Sequence, residues 1–327
     1  MIKDPVTIWK LAPVAIAALA TLGCANLGSA TAQDGPQEVA GASCGVSNAS
    51  AAELGGNATD PETARSFFLE YPCDIAPGED LTVILNIHGA GSRSGWQRQY
   101  FPASDYVDKY RLIVATPTAA TAEPVRRWTE EADDAHLRNI LDLVVAGFGR
   151  NNIRAVWLAG HSQGGLTSHR IICSDYFQDK VDGMVSIAGG RLGQGSYEDA
   201  LGCDMSYIFT TGDLDSSGRA GVPTTSPVAD RYNCATRIRT AIITDSQGGK
   251  VSDTRTAETG RPDRPGWGGL PGPGTSDVYQ FPGCDGDRVI ADVIRLDKGH
   301  TEGLEPRVTE EIVRLIVSAP GGKLRDS

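Results

Sequence analysis

The chain has 327 residues, 40% hydrophobic and 22% charged, without a long run of one charge or an internal repeat. That composition excludes a disordered or solenoid protein over most of its length and fits one large catalytic domain with short additions. The formal charge of −11 disfavours nucleic acid and anionic membranes as partners.

At the start, Lys3 and Lys10 precede the apolar run Leu11 to Leu22, and Ala30-Thr31-Ala32 places small residues where a signal peptidase reads them. Residues 1–32 are therefore expected to be a signal peptide, cleaved before Gln33. Losing Lys3, Asp4 and Lys10 with it takes the formal charge from −11 to −12. The run is interrupted by Pro13 and falls short of the ~20 apolar residues a membrane span needs, so no span is expected. Thr21-Leu22-Gly23-Cys24 leaves a lipoprotein signal as the second reading. Both readings place the protein outside the cytoplasm, secreted or periplasmic.

Beyond Cys24 the cysteines are Cys44, Cys73, Cys173, Cys203, Cys234 and Cys284. An even number in an exported chain points to disulfides, and the lack of a C-x-x-C pair argues against zinc. Spacing does not choose among the connectivities; sequential pairing is the expectation taken. No cofactor is expected.

Residues 33–57 are rich in Gly, Ala, Ser and Asn and read as a loose N-terminal arm. The catalytic domain is expected over 58–327. Leu81 to Ile87 is a compact β-branched run suited to a strand buried on both faces, as is Leu112 to Ala115. Glu130 to Phe148 carries Leu137, Ile140, Leu141, Val144 and Val145 at helical spacing. Its first turns hold Glu130, Glu131, Asp133 and Asp134, where the helix dipole favours acids. Ala155 to Ala159, Val185 to Ala188, Tyr207 to Thr211 and Val289 to Leu296 predict further strands. A helix is expected around Val308 to Val317. Strands alternating with helices predict an α/β fold, a mostly parallel central sheet with helices on both faces. From about 216 to 286 the rhythm breaks. Arg261 to Gly274 is too dense in Pro and Gly to be regular, so a loop insertion is expected there, over the site or as a surface excursion.

Gly160-His161-Ser162-Gln163-Gly164 matches G-x-S-x-G, whose small residues let the chain turn sharply from strand to helix and expose the serine hydroxyl. In a chain with 39 glycines, chance supplies roughly a third of such a match. Here, however, the motif follows the strand Ala155 to Ala159 and precedes an amphipathic helix. A serine hydroxyl needs an adjacent base, and in this arrangement the base follows the acid in chain order. His169 lies two turns into the helix behind the motif; His300, in a loop after the last strand, is the better placed. Asp215 is the candidate acid, with Asp213 as the alternative, both at the end of Tyr207 to Thr211. Donors for a tetrahedral oxyanion are expected from the backbone of Gln163 and of Ala90, in His88-Gly89-Ala90-Gly91. His88 reads as a brace for that loop.

Together these residues resemble the secreted feruloyl and acetylxylan esterases and related polyhydroxybutyrate depolymerases of the α/β-hydrolase superfamily, from roughly Cys73 to Pro306. The marks are LNIHGAG, Trp128 ahead of an acidic helix start, GHSQGG, the Gly212 to Asp215 turn, and Cys284 before the last strand and His300. The resemblance implies an α/β-hydrolase fold, ester hydrolysis through an acyl-serine, and no cofactor. Its substrate would be polymeric or plant-cell-wall derived. A monomer is the expectation taken, the sequence itself not reading out an oligomeric state. It also implies a cysteine pair at Cys173 and Cys203, with Cys234 and Cys284 bracketing the late loop, in line with sequential pairing. The chain departs from the family in having Gln163 after the serine and Thr301-Glu302 after the histidine. Trp128, Trp96 and Trp267 are candidates for lining a substrate pocket or for packing. A serine peptidase on the same three residues, or a noncatalytic polysaccharide- or polymer-binding relative, are the alternative functions.

Overall fold

The structure, a computed structural model, describes residues 35–120, 122–193, 201–251 and 271–327. The backbone divides into two units, Met1–Gln33 and Asp34–Ser327, and every described residue belongs to the second. The expected leader, Trp267 and most of Arg261 to Gly274 lie outside the described residues.

Two short strands, β1 (Glu38–Val39) and β2 (Ala42–Ser43), pair antiparallel. The segment read as a loose arm is fastened here: Cys44 is bonded to Cys73, Gly45 N–H donates to the Tyr71 carbonyl, and the Tyr71 hydroxyl donates to the Ala42 carbonyl. Next come β3 (Ala58–Asp60), β4 (Arg65–Glu70), β5 (Leu81–Ile87), β6 (Leu112–Pro117), β7 (Ile153–His161), β8 (Gly183–Ile187) and β9 (Ser206–Gly212). The last strands are β10 (Ile238–Asp245), β11 (Gly274–Gln280) and β12 (Ile290–Leu296). All from β3 onward join one ten-stranded sheet in the order β3-β4-β6-β5-β7-β8-β9-β12-β11-β10. From β6 to β12 the neighbours run parallel, and an antiparallel strand pair closes each edge.

The helices are α1 (Ser94–Tyr100), α2 (Val107–Tyr110), α3 (Glu130–Phe148), α4 (Gln163–Ile172), α5 (Pro227–Arg231), α6 (Pro306–Ser318) and α7 (Lys323–Asp326). Alternation along the strands splits the core in two. Val83, Leu85 and Ile87 of β5 join Leu137, Ile140, Leu141 and Val144 of α3 on one face. Ile84 and Trp157 join Ile312, Val313 and Ile316 of α6 on the other. Strand β5 is buried along its whole length because helices cover both faces, which is why apolar residues occupy both alternating sets of its positions. Its one amide, Asn86, is satisfied by α1: the Gln97 side chain donates to it at 2.7 Å and it donates to the Phe101 carbonyl at 3.1 Å.

Within 216–286, where the alternation was lost, the structure contains α5 and the strands β10 and β11, and Gly274 opens β11. Strand β10 is largely exposed on both sides, with Ile238 and Ile242 facing solvent, so it carries neither the buried run nor the clean alternation by which the central strands announce themselves. β3 is too short, at three residues, for its alternation to register, and the buried run of β4 is confined to its second half.

Six cysteines form three disulfides, Cys44–Cys73, Cys173–Cys203 and Cys234–Cys284, with Cα atoms 5.0, 5.4 and 4.0 Å apart. Such a complement belongs to an oxidising compartment. Among the described residues no helix is long and apolar enough to cross a membrane, and no group of three His, Cys, Asp or Glu side chains is placed to hold a metal.

Candidate active site

Ser162 sits between β7 and α4 with φ 50° and ψ −117°, a backbone conformation a non-glycine residue adopts only under constraint. The constraint is close packing. A β-carbon on Gly164 would come within 2.2 Å of the Ile87 carbonyl oxygen, so only glycine lets the first turn of α4 lie against the end of β5.

The Ser162 hydroxyl lies 2.9 Å from Nε2 of His300, whose Nδ1 lies 3.1 Å from Oδ1 of Asp215. All three groups stand beyond the C-terminal ends of parallel strands: Ser162 after β7, Asp215 after β9, His300 after β12. The last two loops are laced together, with Asp213 N–H donating to the Arg295 carbonyl at 3.0 Å and Leu214 N–H to the Lys298 carbonyl at 2.9 Å. Asp215, the preferred acid, meets His300. Asp213 does not: its Oδ1 is buried without a hydrogen-bond partner among the described residues.

Burial alone would raise the Asp215 pKa, but the hydrogen bond and charge of His300, with further hydrogen bonds from Ser217 Oγ and Ser216 N–H, hold it down at about 2. Thr211 Oγ1 lies 3.2 Å from the same carboxylate and 2.7 Å from Ser217 Oγ. Asp215 is thus an ionised acceptor that requires Nδ1 of His300 to carry a proton, leaving Nε2 to face the serine.

The parallel sheet, its helices and this strand-end arrangement decide the fold. It is the α/β-hydrolase fold. No family model matches the sequence, and no curated protein matches it. Solved structures similar to it include an alpha-beta serine hydrolase homologue from Coxiella burnetii, 15% identical with TM-score 0.31, the match covering 46% of this chain and 69% of that one. SOBER1 of Arabidopsis thaliana is 12% identical with TM-score 0.38, over 73% and 97% of the two chains. The esterase PE8 is 15% identical with TM-score 0.36, over 73% and 91%.

The α/β-hydrolase sheet carries the 88–91 loop to the elbow. A β-carbon on Gly89 would fall 3.1 Å from Ser162 Cβ and 2.8 Å from His161 Nδ1, so at Gly89, the neighbour of Ala90, the loop packs against the elbow. Gln163 is the first residue of α4, and its N–H has no partner within the helix. His88 is the brace it was read to be. Its Nδ1 donates to the Gly89 carbonyl at 2.7 Å, its Nε2 accepts from Ala119 N–H at 2.9 Å, and burial lowers its pKa to about 3.

Trp128, read as a pocket candidate, is only 5% exposed and braces the loop from behind: its indole N–H donates to the His88 carbonyl at 2.7 Å. Gln163, the departure from the family pattern, grips the same residue. Its side chain accepts from Trp128 N–H at 3.2 Å and donates to the Trp128 carbonyl at 3.3 Å, which ties the elbow to the oxyanion loop. Trp96 stacks on Tyr100 at 4.7 Å and stands 5.5 Å from the His161 ring. The cleft at Ser162 and His300, about 310 Å³, is lined instead by Leu166, Ala188, Gly189, Gly190, Ser216 and Ser217.

Sequence reasoning missed the residues that hold His300. Its carbonyl accepts from the Tyr100 hydroxyl at 3.1 Å and from His161 Nε2 at 2.9 Å. A carbonyl can only accept, so Nε2 of His161 carries the proton, and burial with the neighbouring His300 keeps the His161 pKa well below its ordinary value. Arg295, fully within the fold, donates to the carbonyls of Glu302 and Gly303 and pairs with Glu305 at 2.9 Å. Glu302 accepts from Gly299 N–H at 2.6 Å. The one legible signal was His161, inside the motif itself.

Proposed function

We propose that the chain is an exported serine esterase that cleaves carboxylic esters through an acyl-serine intermediate. The single observation that carries the reading is the continuous hydrogen-bonded path from the strained Ser162 through His300 to the ionised Asp215. In this reading Ser162 Oγ attacks the ester carbonyl carbon while its proton passes to His300 Nε2. The tetrahedral oxygen accepts from the N–H groups of Gln163 and Ala90. Collapse expels the alcohol, which takes the proton from Nε2, and a water activated by the same nitrogen then releases the acid and frees the serine. Asp215 fixes the tautomer and offsets the charge of the imidazolium throughout.

The small cleft beside Ser162 supports a short or planar acyl group, in keeping with the acetyl, hydroxycinnamoyl or hydroxyalkanoate esters that the resemblance to feruloyl esterases and polyhydroxybutyrate depolymerases implies. Three disulfides support a site of action outside the cytoplasm. The test is a p-nitrophenyl ester assay together with fluorophosphonate labelling. The native protein should turn over the ester and take the label, and Ser162→Ala should lose both. Turnover that survives in Ser162→Ala refutes the proposal.

A further inference from the structure

A second cleft, about 300 Å³, is lined by Gly91 at the end of the oxyanion loop and by Ser92 and Arg93 just after it, and shares no residue with the cleft at Ser162. Its walls include Leu54 and Val125, two of the exposed large apolar side chains, at 50% and 40% exposure. Its polar lining is Ser92, Arg93 and Arg126. No carboxylate pairs with either arginine among the described residues. Each guanidinium makes one bond to a backbone carbonyl, Arg93 to Ala52 and Arg126 to Ala119, which leaves donors on both. Ser92 is 9% exposed, and its hydroxyl is buried without a hydrogen-bond partner among the described residues. The same holds of Thr116 Oγ1 and Thr210 Oγ1, so the donors this cleft offers a ligand are its two guanidiniums.

The position is close to the chemistry. Ser92 stands two residues past Ala90, so their Cα atoms are within about 7.6 Å of each other. Arg126 is tied to the same loop, its carbonyl accepting from Gly91 N–H at 2.7 Å. The charges of both arginines also reach the buried His88 behind the loop, adding to the burial that keeps it neutral. A chain of formal charge −11 repels anions at long range. A local pair of free cations is what such a surface needs in order to hold one.

We propose that this cleft is a carboxylate subsite. It receives a carboxylate on a short apolar body that forms part of the ester substrate, with the Arg93 and Arg126 guanidiniums as donors and Leu54 and Val125 against the apolar part. The inference rests on the serine-esterase reading.

Two ester pairs test it on the full chain. In one the carboxylate is on the leaving group, 4-acetoxybenzoate against its methyl ester. In the other it is on the acyl side, mono-4-nitrophenyl glutarate against its methyl ester. Each kcat/KM is divided by that ester's own hydroxide rate. In one pair the charged ester should be preferred by about tenfold, the worth of one charge-assisted hydrogen bond, and the pair identifies the side that enters the cleft. High salt should compress that ratio. Arg93→Gln and Arg126→Gln should each lower it by about tenfold, thermal unfolding being measured alongside, and the salt response of the unaltered protein tests the subsite even where a variant fails to fold. A ratio at or below one in both pairs, with the esters still hydrolysed, overturns the subsite and leaves the esterase. Failure of all four esters together with absent fluorophosphonate labelling overturns the esterase reading and the subsite with it.

Discussion

At the scale of single residues, Asp215 has two measurable roles. In the proposed mechanism, as the acceptor for His300 Nδ1 it selects the tautomer that lets Nε2 take the serine proton. An amide in its place favours the wrong tautomer, so Asp215→Asn should lower kcat by about four orders of magnitude. Asp213→Asn, which touches neither His300 nor Ser162, should change it little by comparison, and steady-state kinetics on one ester compares the two. The second role is in stability. The folded-state pKa of Asp215 is about 2, below its ordinary 3.8. A carboxylate lowered on folding contributes stability that is fully present above pH 4 or so and is lost as the pH falls toward 2. That contribution is about 2 kcal/mol. Urea unfolding between pH 5 and pH 2 should therefore show the native protein losing about that much more stability than Asp215→Asn.

At the scale of elements, the decisive piece is the loop from β12 to α6, which carries His300. Arg295 leaves the strand and binds two carbonyls of the loop, Glu305 pairs with Arg295 and lies 3.1 Å from Lys298, and Glu302 closes the turn at Gly299. The cluster is buried, so its charges depend on one another. Glu305→Gln leaves two buried cations without their anion. It should cost about 3 kcal/mol in urea unfolding, and kcat should fall more than KM changes, because the base is displaced while the cleft is not. None of this was legible in the sequence: a buried Arg and an exposed Arg look alike as letters. The strands β5, β7 and β9 were legible because burial on both faces writes itself as a run of apolar residues. Strand β10, exposed at an edge, leaves no such mark.

At the scale of the whole molecule, the sheet places three loops from distant parts of the chain at the C-terminal ends of its parallel strands, and the disulfides fasten what the sheet leaves free. Cys234–Cys284 spans 50 residues and brackets the antiparallel edge pair β10 and β11. Closing a loop of that length restricts the unfolded chain by about 4 kcal/mol in the chain-entropy model. The double variant Cys234→Ser with Cys284→Ser should lose stability of that order, read from urea unfolding as a lower midpoint with a steeper slope, because the unlinked denatured chain exposes more surface. The variant should retain the label at Ser162, since the disulfide lies away from the hydrogen-bonded path.

The sequence by itself determined the candidate elbow serine, the candidate histidine after the last strand and the places of the central strands along the chain, because each depends on a local pattern: a small-residue turn, a position in the chain, a run of buried apolar residues. Which of Asp213 and Asp215 meets His300 was decided only by the tertiary structure, since two carboxylates two residues apart differ in where the turn points them. The same holds for the brace role of Trp128, which depends on the His88 carbonyl lying within reach of its indole, and for Gln163, whose partner is 35 residues away. Such contacts join residues remote along the chain, and only the packing of the sheet brings them together.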